Sequence, residues 1–329
     1  MGARRQVRDR PREYSSSFAV APPPGIGHPS PATVASVIVV PAAAKVNLAL
    51  EVTGRRPDGY HDVATVIVPL DWHDLVGVRL RPGAGEVRLR VSGPAAGGVP
   101  HGPENLVARA AATLLRLAGG GLDAEVWLDK RLPVAAGVGG GSADAAAVLR
   151  AGAALLRRAG LAPPEDAVAA AAAELGSDVP AALAGGAVLA TGRGELLTRL
   201  PCPPLHLAVA VAGESSTAAA YAALLNGERR GDGRAGRVAE RLAAGRPPTS
   251  DDCGSALEAA ACRAAPLLGE QLCRLRARVG ADWHLTGSGG AAFALAGSPQ
   301  AAAELAAAAL AAGFAARGCR TIPVPAEVR

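Results

Sequence analysis

The sequence has few aromatic residues, no long apolar run and no paired cysteines. Aromatic residues make up 3% of the 329 residues, which disfavours a protein that binds RNA or single-stranded DNA by base stacking. No stretch of about 18 consecutive apolar residues occurs, so we expect no membrane-spanning helix. The five cysteines form no Cys-x-x-Cys pair, which fits reduced thiols in a cytosolic protein better than a disulfide framework or a zinc site.

Positive charge is concentrated at the N-terminus. The chain has a formal net charge of +5, and its first 13 residues hold five arginines against two acidic residues. Outside that segment 29 basic and 27 acidic residues remain, so we expect no specific nucleic-acid partner. The segment after Arg4-Arg5 lacks the apolar stretch of an export signal. We therefore predict a cytoplasmic protein in which residues 1–35 are a disordered extension.

Lysine is almost absent. Of the 34 basic residues only Lys45 and Lys130 are lysines. Arginine and lysine are not interchangeable wherever a compact ammonium is needed. These two positions are therefore candidates for a role that arginine cannot fill.

Apolar spacing predicts a mixed fold. Strands are predicted at 36–40, 46–52, 63–70, 76–80, 86–91, 124–128, 187–190 and 205–211, with 76–80 and 86–91 forming a hairpin. Helices are predicted at 105–117, 143–159, 164–175, 179–184, 256–279 and 301–312. Residues 226–250 are predicted to be an exposed loop with one short helix. Strands and helices without strict βαβ alternation indicate the α+β class, with a domain boundary near the Pro-rich segment 201–204.

A run of glycines between a predicted strand and a predicted helix is the strongest local signal. Residues 137–141 read Gly-Val-Gly-Gly-Gly and precede Ser142, Ala143 and Asp144. Glycines let the backbone approach an anion, and a helix start adds free N–H donors and a positive dipole end. The pattern fits a phosphate-binding loop, although a flexible linker or a plain strand–helix turn explains it about as well. It is neither a Walker A loop nor, with Ser142 in place of the third glycine, the dinucleotide fingerprint.

Three polar side chains are further candidates. Lys45 and Asn47 point to one face of a predicted strand, where an ammonium and an amide suit a hydroxyl or an anion. A solvated lysine is the plainer interpretation. Asp178 lies between two predicted helices, either as an N-cap or as a carboxylate base held by a cation.

Two turns complete the set of motifs. Asp58-Gly59-Tyr60-His61 presents a phenol and an imidazole, which suits recognition of a flat ring. A packed tyrosine in a capped turn is the plainer interpretation. Gly287, Ser288 and Gly289 form a turn between predicted strands, which fits backbone approach to a ligand and fits a hairpin almost as well.

These five motifs occur in the order seen in GHMP kinases, and the sequence resembles that family from about residue 38 to residue 295. The resemblance implies an α+β, two-domain GHMP kinase fold. Its parts are an N-terminal ribosomal-protein-S5-like, ATP-binding domain at 36–198 and a C-terminal, substrate-binding α/β-plait domain at 199–329. It also implies an ATP- and Mg²⁺-dependent kinase. The Asp-Gly-Tyr-His turn indicates the branch that phosphorylates the 2-hydroxyl of 4-diphosphocytidyl-2-C-methyl-D-erythritol, in non-mevalonate isoprenoid synthesis.

The resemblance also implies roles for individual residues. Asp178 would be the catalytic base, and Lys45 beside it would favour its ionised form. Asn47, Tyr60 and His61 would bind the substrate, with the last two holding cytosine, together with the turn residues Gly287, Ser288 and Gly289. Ser142 would help to place Mg²⁺. The ATP phosphates would be wrapped by Pro133, Val134, Ala135, Ala136, Gly137, Val138, Gly139, Gly140, Gly141, Ser142 and Ala143.

The chain departs from the family pattern at three places. Ala43 stands where the family usually has proline, and Ser255-Ala256 stand where it often has Asn-Asp. Ala135 and Ala136 stand where glycine is common. Alanine is tolerated there if the φ angles are negative.

Two other functions stay open at this point. One is a GHMP kinase with another small-molecule acceptor, and the other is a catalytically silent relative that acts as a binding protein. Loss of Lys45 or Asp178 would favour the silent relative, and both are present. The expected partner is a small-molecule substrate, with no membrane and with a monomer or a homodimer as the assembly.

Overall fold

The computed structural model describes residues 14–19, 36–229 and 231–324. Within these ranges the strands are β1 (Tyr14–Ala19), β2 (Ile38–Arg55), β3 (His61–Pro82), β4 (Glu86–Ser92), β5 (Leu122–Asp129), β6 (Ala187–Gly192), β7 (Leu196–Leu200), β8 (His206–Val211), β9 (Gly254–Ser255), β10 (His284–Leu285), β11 (Ala291–Ala296) and β12 (Ala315–Arg320). The helices are α1 (Leu106–Leu117), α2 (Gly140–Arg158), α3 (Glu165–Leu175), α4 (Val179–Ala184), α5 (Thr217–Ala222), α6 (Arg234–Ala243), α7 (Glu258–Ala264), α8 (Pro266–Val279) and α9 (Pro299–Ala311).

A large sheet is built around the two longest strands. Its order is β1-β4-β5-β3-β2-β9, and β6 joins the first half of β3 and carries β7 at its other edge. The strands β2 and β3 pair antiparallel along nearly their whole length. A second sheet, with order β10-β11-β8-β12, is antiparallel throughout. Mixed pairing in one sheet and antiparallel pairing in the other confirm the α+β class.

A β-bulge in β2 sends its side chains into two different cores. Ile38, Val40 and Ala42 pack against the helices on one side of the sheet. Beyond the register shift between Ala43 and Lys45, the even-numbered residues Ala44, Val46 and Leu48 pack toward the second sheet. Between the pairs Ala43–His73 and Lys45–Pro69, β2 advances two residues and β3 advances four, which interrupts the regular alternation of faces. The same shift turns the side chains of Lys45 and Asn47 away from that second core.

Three buried clusters hold these layers together. The first lies between the large sheet and α1 and α2, with Leu80, Leu114 and Leu149 at its centre. The second lies between the two sheets and includes Phe293. The third lies between the second sheet and α8 and α9, around Trp283. Burying one such large apolar side chain contributes about 1.5–3 kcal/mol, so the layers are held by packing.

The predicted hairpin of 76–80 and 86–91 is wrong. The strand β5 lies between β3 and β4, antiparallel to the first and parallel to the second. Six of its eight residues are buried, which favours a central position. The Asp123 carboxylate also accepts the N–H groups of Gly85 and Glu86 at 3.1 and 2.8 Å, so the turn after β3 is held beside β5. A parallel β4–β5 pair needs a crossover, which α1 provides.

Other boundaries differ from the prediction for local reasons. Strands predicted at 36–40 and 46–52 are one strand, β2, and those at 63–70 and 76–80 are one strand, β3. The helix predicted at 256–279 is broken between α7 and α8, because Pro266 lacks an N–H and disfavours helical geometry at Ala265. The helix predicted from about residue 143 begins at Gly140.

The region 226–250, predicted as an exposed loop with one short helix, contains α6, which buries Ala235, Val238 and Leu242. In the predicted extension 1–35, Tyr14–Ala19 pairs with β4, so that part is not disordered; residues 1–13 and 20–35 lie outside the described residues. Sequence reasoning did not predict β7, β12 or α5. The sheets change between β7 and β8, near the predicted domain boundary, which itself stays a prediction.

Candidate functional site

Lys45 lies at the bulge of β2, where the strand meets the glycine loop. Lys45 lies opposite Pro69 of β3 directly after the register shift, and its backbone N–H donates to the carbonyl of Val138 at 2.9 Å. The bulge thus provides a free donor that fastens the loop to the strand. The loop and the Lys45 side chain are therefore positioned by the same backbone feature.

The Lys45 ammonium contacts two of the predicted site residues. Its Nζ is 3.3 Å from Asp178 Oδ2 and donates to Asn47 Oδ1 at 2.7 Å. Asp178 stands at the N-cap position of α4, but its side chain makes no capping hydrogen bond. The interpretation as a plain N-cap is therefore not supported. The carboxylate, 40% exposed, faces the lysine and the solvent-filled side of the site.

Asn47 is held in one orientation by buried neighbours. Its side-chain Nδ2 donates to Thr65 Oγ1 at 2.8 Å, and the Thr65 hydroxyl donates to the carbonyl of Ala49 at 2.7 Å. The backbone N–H of Asn47 donates to Thr286 Oγ1 at 2.7 Å. Because Nδ2 is used in this way, Oδ1 is the atom that faces Lys45. Sequence reasoning assigned no role to Thr65, which lies outside the five motifs, or to Thr286, which directly precedes the 287–289 turn.

The glycine loop approaches its neighbours more closely than side chains allow. Gly137 and Gly139 have φ angles of 76° and 72°. A Cβ on Gly137 would lie 1.9 Å from the carbonyl oxygen of Gly289, and a Cβ on Gly139 would lie 2.8 Å from Cγ of Lys45. These glycines are required both by backbone conformation and by space. Because these two glycines have no side chains, the loop can contact both Lys45 and the 287–289 turn.

Ala135 departs from the expectation of negative φ angles in the loop. Its φ angle is 58°, the only positive value of a non-glycine residue in the described part of the chain. An L-residue in this region is strained by about 1–2 kcal/mol. Such strain persists where surrounding contacts fix the backbone and clusters at ligand-binding segments.

The helix α2 begins inside the loop and leaves donors free. Gly139 is its N-cap, and Gly140, Gly141 and Ser142 form its first turn. The N–H groups of a first helical turn have no partner within the helix and meet the positive end of its dipole. The loop therefore has the free donors and the dipole end that an anion-binding cradle needs.

The turn at 287–289 lies between the loop and the strand residues. A Cβ on Gly287 would lie 3.0 Å from Asn47 Oδ1 and 3.5 Å from Lys45 Nζ. The Ser255 hydroxyl donates to the Gly287 carbonyl at 2.6 Å, so Ser255 fixes this turn. The Ser288 carbonyl accepts from Ser215 Oγ at 2.8 Å. The turn predicted from glycine content is thus anchored from two sides.

Two cavities adjoin the segments that carry the predicted site residues. The larger, about 780 Å³, is lined by Lys45, Asn47, Asp178 and the turn residues Gly287 and Ser288. The smaller, about 380 Å³, is lined by residues 133–142 together with Asn105, Lys130 and Asp144. A narrow pocket of about 40 Å³ shares Lys45 and Asp178 with the larger cavity and Gly139 with the smaller one. We call the larger the acceptor cavity and the smaller the loop cavity.

The aromatic residues of the acceptor cavity differ partly from the expectation. His61 stacks on Tyr221, with ring centroids 5.2 Å apart and 24° between the planes. Tyr60 also lines this cavity, but it is 57% exposed and lies at the rim. Sequence reasoning missed Tyr221, although the scarcity of tyrosine was a signal. Burial and, less strongly, the Asp178 carboxylate raise the pKa of Tyr221 to about 12, so its phenol stays protonated.

The second lysine of the chain lies beneath the glycine loop. Lys130 is buried and pairs with Asp74 and Asp144, the latter at 2.8 Å. Burial alone would lower the pKa of Lys130, but the two carboxylates outweigh it and raise that pKa. Burial, opposed by Lys130, raises the pKa of Asp144 to about 8. The Asp144 carboxyl therefore binds a proton more tightly than an exposed aspartate does.

Asp74 and Asp144 tie the loop cavity to the sheet. The Asp74 carboxylate accepts the N–H groups of Arg131 and Leu132 at 2.5 and 2.7 Å, which fixes the start of the loop. Asp144 lies in α2, just after the glycines. A Cβ on Gly140 would lie 2.9 Å from Lys130 Nζ. Lys130 is thus packed under the first turn of α2. The scarcity of lysine had made it a candidate residue without indicating a role.

The comparisons with known proteins identify the family. Residues 105–186 match the GHMP kinases N terminal domain. A 4-diphosphocytidyl-2-C-methyl-D-erythritol kinase of Nocardia farcinica is 41% identical over 301 residues, which cover 89% of this chain and 96% of that protein. The chain belongs to the 4-diphosphocytidyl-2-C-methyl-D-erythritol kinase family. A member from Pelotomaculum thermopropionicum is 49% identical over 174 residues, 52% of this chain and 58% of that relative.

Solved structures agree with this family and with the predicted fold. The crystal structure of a 4-(cytidine 5'-diphospho)-2C-methyl-D-erythritol kinase superposes with a TM-score of 0.69 at 36% identity, covering 86% of this chain and 99% of that chain. A homoserine kinase from Cytophaga hutchinsonii superposes with a TM-score of 0.64 at 20% identity, over 88% of this chain and 95% of that one, which shows a shared fold. The GHMP kinase fold predicted from the motifs is confirmed. Across the described ranges, none of the helices combines the length and apolarity needed to cross a bilayer.

Proposed function

We propose that this protein transfers the γ-phosphoryl group of ATP to the 2-hydroxyl of 4-diphosphocytidyl-2-C-methyl-D-erythritol, a step of the non-mevalonate pathway to isoprenoid precursors. The family supports the choice of substrate. The observation that carries the mechanism is the contact of Lys45 with Asp178 in the wall of the acceptor cavity, next to Gly139 of the glycine loop. An acceptor on one side and a nucleotide on the other would meet there.

Asp178 accepts the proton of the acceptor hydroxyl in this proposal. Its carboxylate is accessible from the acceptor cavity and makes no capping bond that would occupy it. Lys45, with its Nζ 3.3 Å from Asp178 Oδ2, holds that carboxylate in position for proton transfer. As the acceptor oxygen becomes negative, the same ammonium is close enough to stabilise it. Asn47, fixed by Thr65, orients the lysine.

The glycine loop and the start of α2 hold the phosphates of ATP. Gly137 and Gly139 let the backbone approach them, and the free N–H groups of the first turn of α2 donate to them. The loop cavity, lined by Asn105 and Lys130, has the position needed for the nucleoside. We propose Pro133–Ala143 as the nucleotide-binding segment.

Mg²⁺ fits this site as a metal held mainly by phosphates. In the described part of the chain no group of three or more His, Cys, Asp or Glu side chains is placed to hold a metal. Mg²⁺ usually binds through few protein groups together with substrate phosphates. Ser142 in the first turn of α2 lines the loop cavity and would provide one hydroxyl contact. The ion would supply neutralisation of phosphate charge.

The acceptor cavity provides an aromatic site for the cytosine ring. His61 and Tyr221 form a stacked pair inside it, and Tyr60 closes its rim. A flat base adds to such a stack, and an imidazole edge can hydrogen-bond to the base. Gly287, Ser288 and Gly289 border the reacting end. In this proposal 36–198 is the ATP-binding domain and 199–329 the substrate-binding domain.

Acceptor competition tests the function. Wild-type protein is assayed for ATP consumption with 4-diphosphocytidyl-2-C-methyl-D-erythritol, mevalonate, homoserine and galactose, each with the Asp178→Asn variant as blank. We expect turnover with the cytidine-bearing acceptor alone. Turnover with another acceptor would keep the phosphoryl-transfer site and discard the cytosine site. No turnover from folded protein that binds ATP would contradict the proposed function.

A further inference from the structure

Arg193 occupies a turn beside the catalytic segment. It lies between β6 and β7 and is flanked by Gly192 and Gly194, whose φ angles are 71° and 111°. A Cβ on Gly194 would lie 3.7 Å from the carbonyl oxygen of Ser177, the residue before Asp178. The turn is therefore packed against the segment that carries the proposed base. The Arg193 side chain lines the acceptor cavity.

Within the described ranges the Arg193 guanidinium lies near the carboxylates of Glu195 and Asp58 but hydrogen-bonds to neither. It lies over the Tyr60 ring, 5.0 Å from the ring centroid. Its Nε is 3.9 Å from Glu195 Oε1, beyond hydrogen-bonding distance, while the Glu195 carboxylate accepts the backbone N–H of Arg193 at 2.6 Å. Tyr60 thus holds the cation at the cavity rim with its donors available.

The charge balance of the acceptor cavity favours a dianion. Its basic lining residues, besides His61, are Lys45, Arg55 and Arg193, and its acidic lining residue is Asp178. Lys45 and Asp178 compensate one another. Two arginines remain without a counter-charge inside the cavity. A diphosphate diester carries two negative charges at neutral pH, and guanidinium groups suit phosphate oxygens in both charge and geometry.

We propose that Arg193 binds the diphosphate of the acceptor and selects phosphate-bearing acceptors over neutral alcohols. This inference rests on the proposed function and adds a residue that the five motifs do not contain. Arg193 positions the acceptor while its ring partner Tyr60 keeps the guanidinium at the rim between turnovers. It takes no part in proton transfer, so its contribution falls on acceptor binding and not on the chemical step.

The test uses Arg193→Ala and Arg193→Lys, with Arg157→Ala as the matched control. Arg157 lies on α2, outside the acceptor cavity, and has no carboxylate within ion-pair distance in the described part of the chain. We expect Arg193→Ala to raise the KM for the acceptor about tenfold, equivalent to about 1.4 kcal/mol, with kcat and the KM for ATP unchanged. The acceptor KM of Arg193→Lys should lie between those of wild type and Arg193→Ala, and the acceptor KM of Arg157→Ala should equal that of wild type.

A binding measurement separates this inference from the proposed function. Cytidine and CDP are titrated into protein saturated with a non-hydrolysable ATP analogue. Arg193→Ala should weaken CDP binding about tenfold and leave cytidine binding unchanged. If wild type turns over the acceptor and Arg193→Ala has the same acceptor KM and the same CDP affinity as wild type, the role of Arg193 is overturned and the proposed function is not. Wild-type protein that binds ATP but has no turnover and binds neither probe would overturn the proposed function, and the inference with it.

Discussion

Substitution of Gly137 by alanine tests the contact between the glycine loop and the 287–289 turn. The new methyl group would lie 1.9 Å from the Gly289 carbonyl oxygen, which is backbone and cannot rotate away. The positive φ angle of 76° adds about 1–2 kcal/mol for an L-residue, and overpacking adds about 1–3 kcal/mol. Alanine also lowers the conformational entropy of the unfolded chain, which stabilises the folded state by about 0.4–1 kcal/mol. We expect a net loss of about 2–4 kcal/mol in the free energy of unfolding.

The matched control is Gly141→Ala in the same loop. A Cβ on Gly141 would meet only Leu106 Cδ1, at 3.7 Å, and this residue lies in the first turn of α2 without a positive φ angle. Alanine there should be neutral or stabilising by up to about 1 kcal/mol. Both variants are compared with wild type by urea unfolding. Equal stability of Gly137→Ala and wild type would refute the argument that this contact requires glycine.

Three further predictions concern single residues of the site. Ala135→Gly should stabilise the protein by about 0.5–1 kcal/mol in urea unfolding because it relieves the positive φ angle; a loss of stability would contradict the strain. Tyr221→Ala should raise the acceptor KM about tenfold through lost stacking, while Tyr221→Phe stays near wild type in steady-state kinetics. The Asp144 carboxyl binds its proton more tightly in the folded protein than in the unfolded chain, so the free energy of unfolding should fall as pH rises from 3.8 to about 8. Asp144→Asn should flatten this dependence of the free energy of unfolding on pH. An unchanged dependence in the variant would show that Asp144 is not its source.

Local sequence signals predicted the elements whose causes are local. The helix predicted at 105–117 forms at Leu106–Leu117, since Asn105 caps it by accepting the Val107 N–H. The helix predicted at 179–184 has those bounds in the structure. The position of β5 between β3 and β4 depends on pairing between distant segments and on the Asp123 carboxylate. No periodicity within one strand contains that information.

In the site, too, local motifs predicted some residues, whereas others depend on contacts between distant segments. Motif order selected Lys45 and Asp178, and the structure brings them within 3.3 Å. Tyr221 reaches the acceptor cavity on α5, a helix that was not predicted, so its partnership with His61 could not be read from spacing. Ala135 has a positive φ angle in a loop that Lys45 fastens through the Val138 carbonyl, whereas residue type alone favours a negative one.

The central claim is that Asp178, held by Lys45, is the base of phosphoryl transfer. The most direct measurement is single-turnover phosphorylation of 4-diphosphocytidyl-2-C-methyl-D-erythritol by wild type and Asp178→Asn, with ATP affinity measured by calorimetry on the same samples. The account predicts a rate lower by about 10²–10⁴-fold in the variant, with ATP affinity retained. A variant rate within a few-fold of wild type would contradict it.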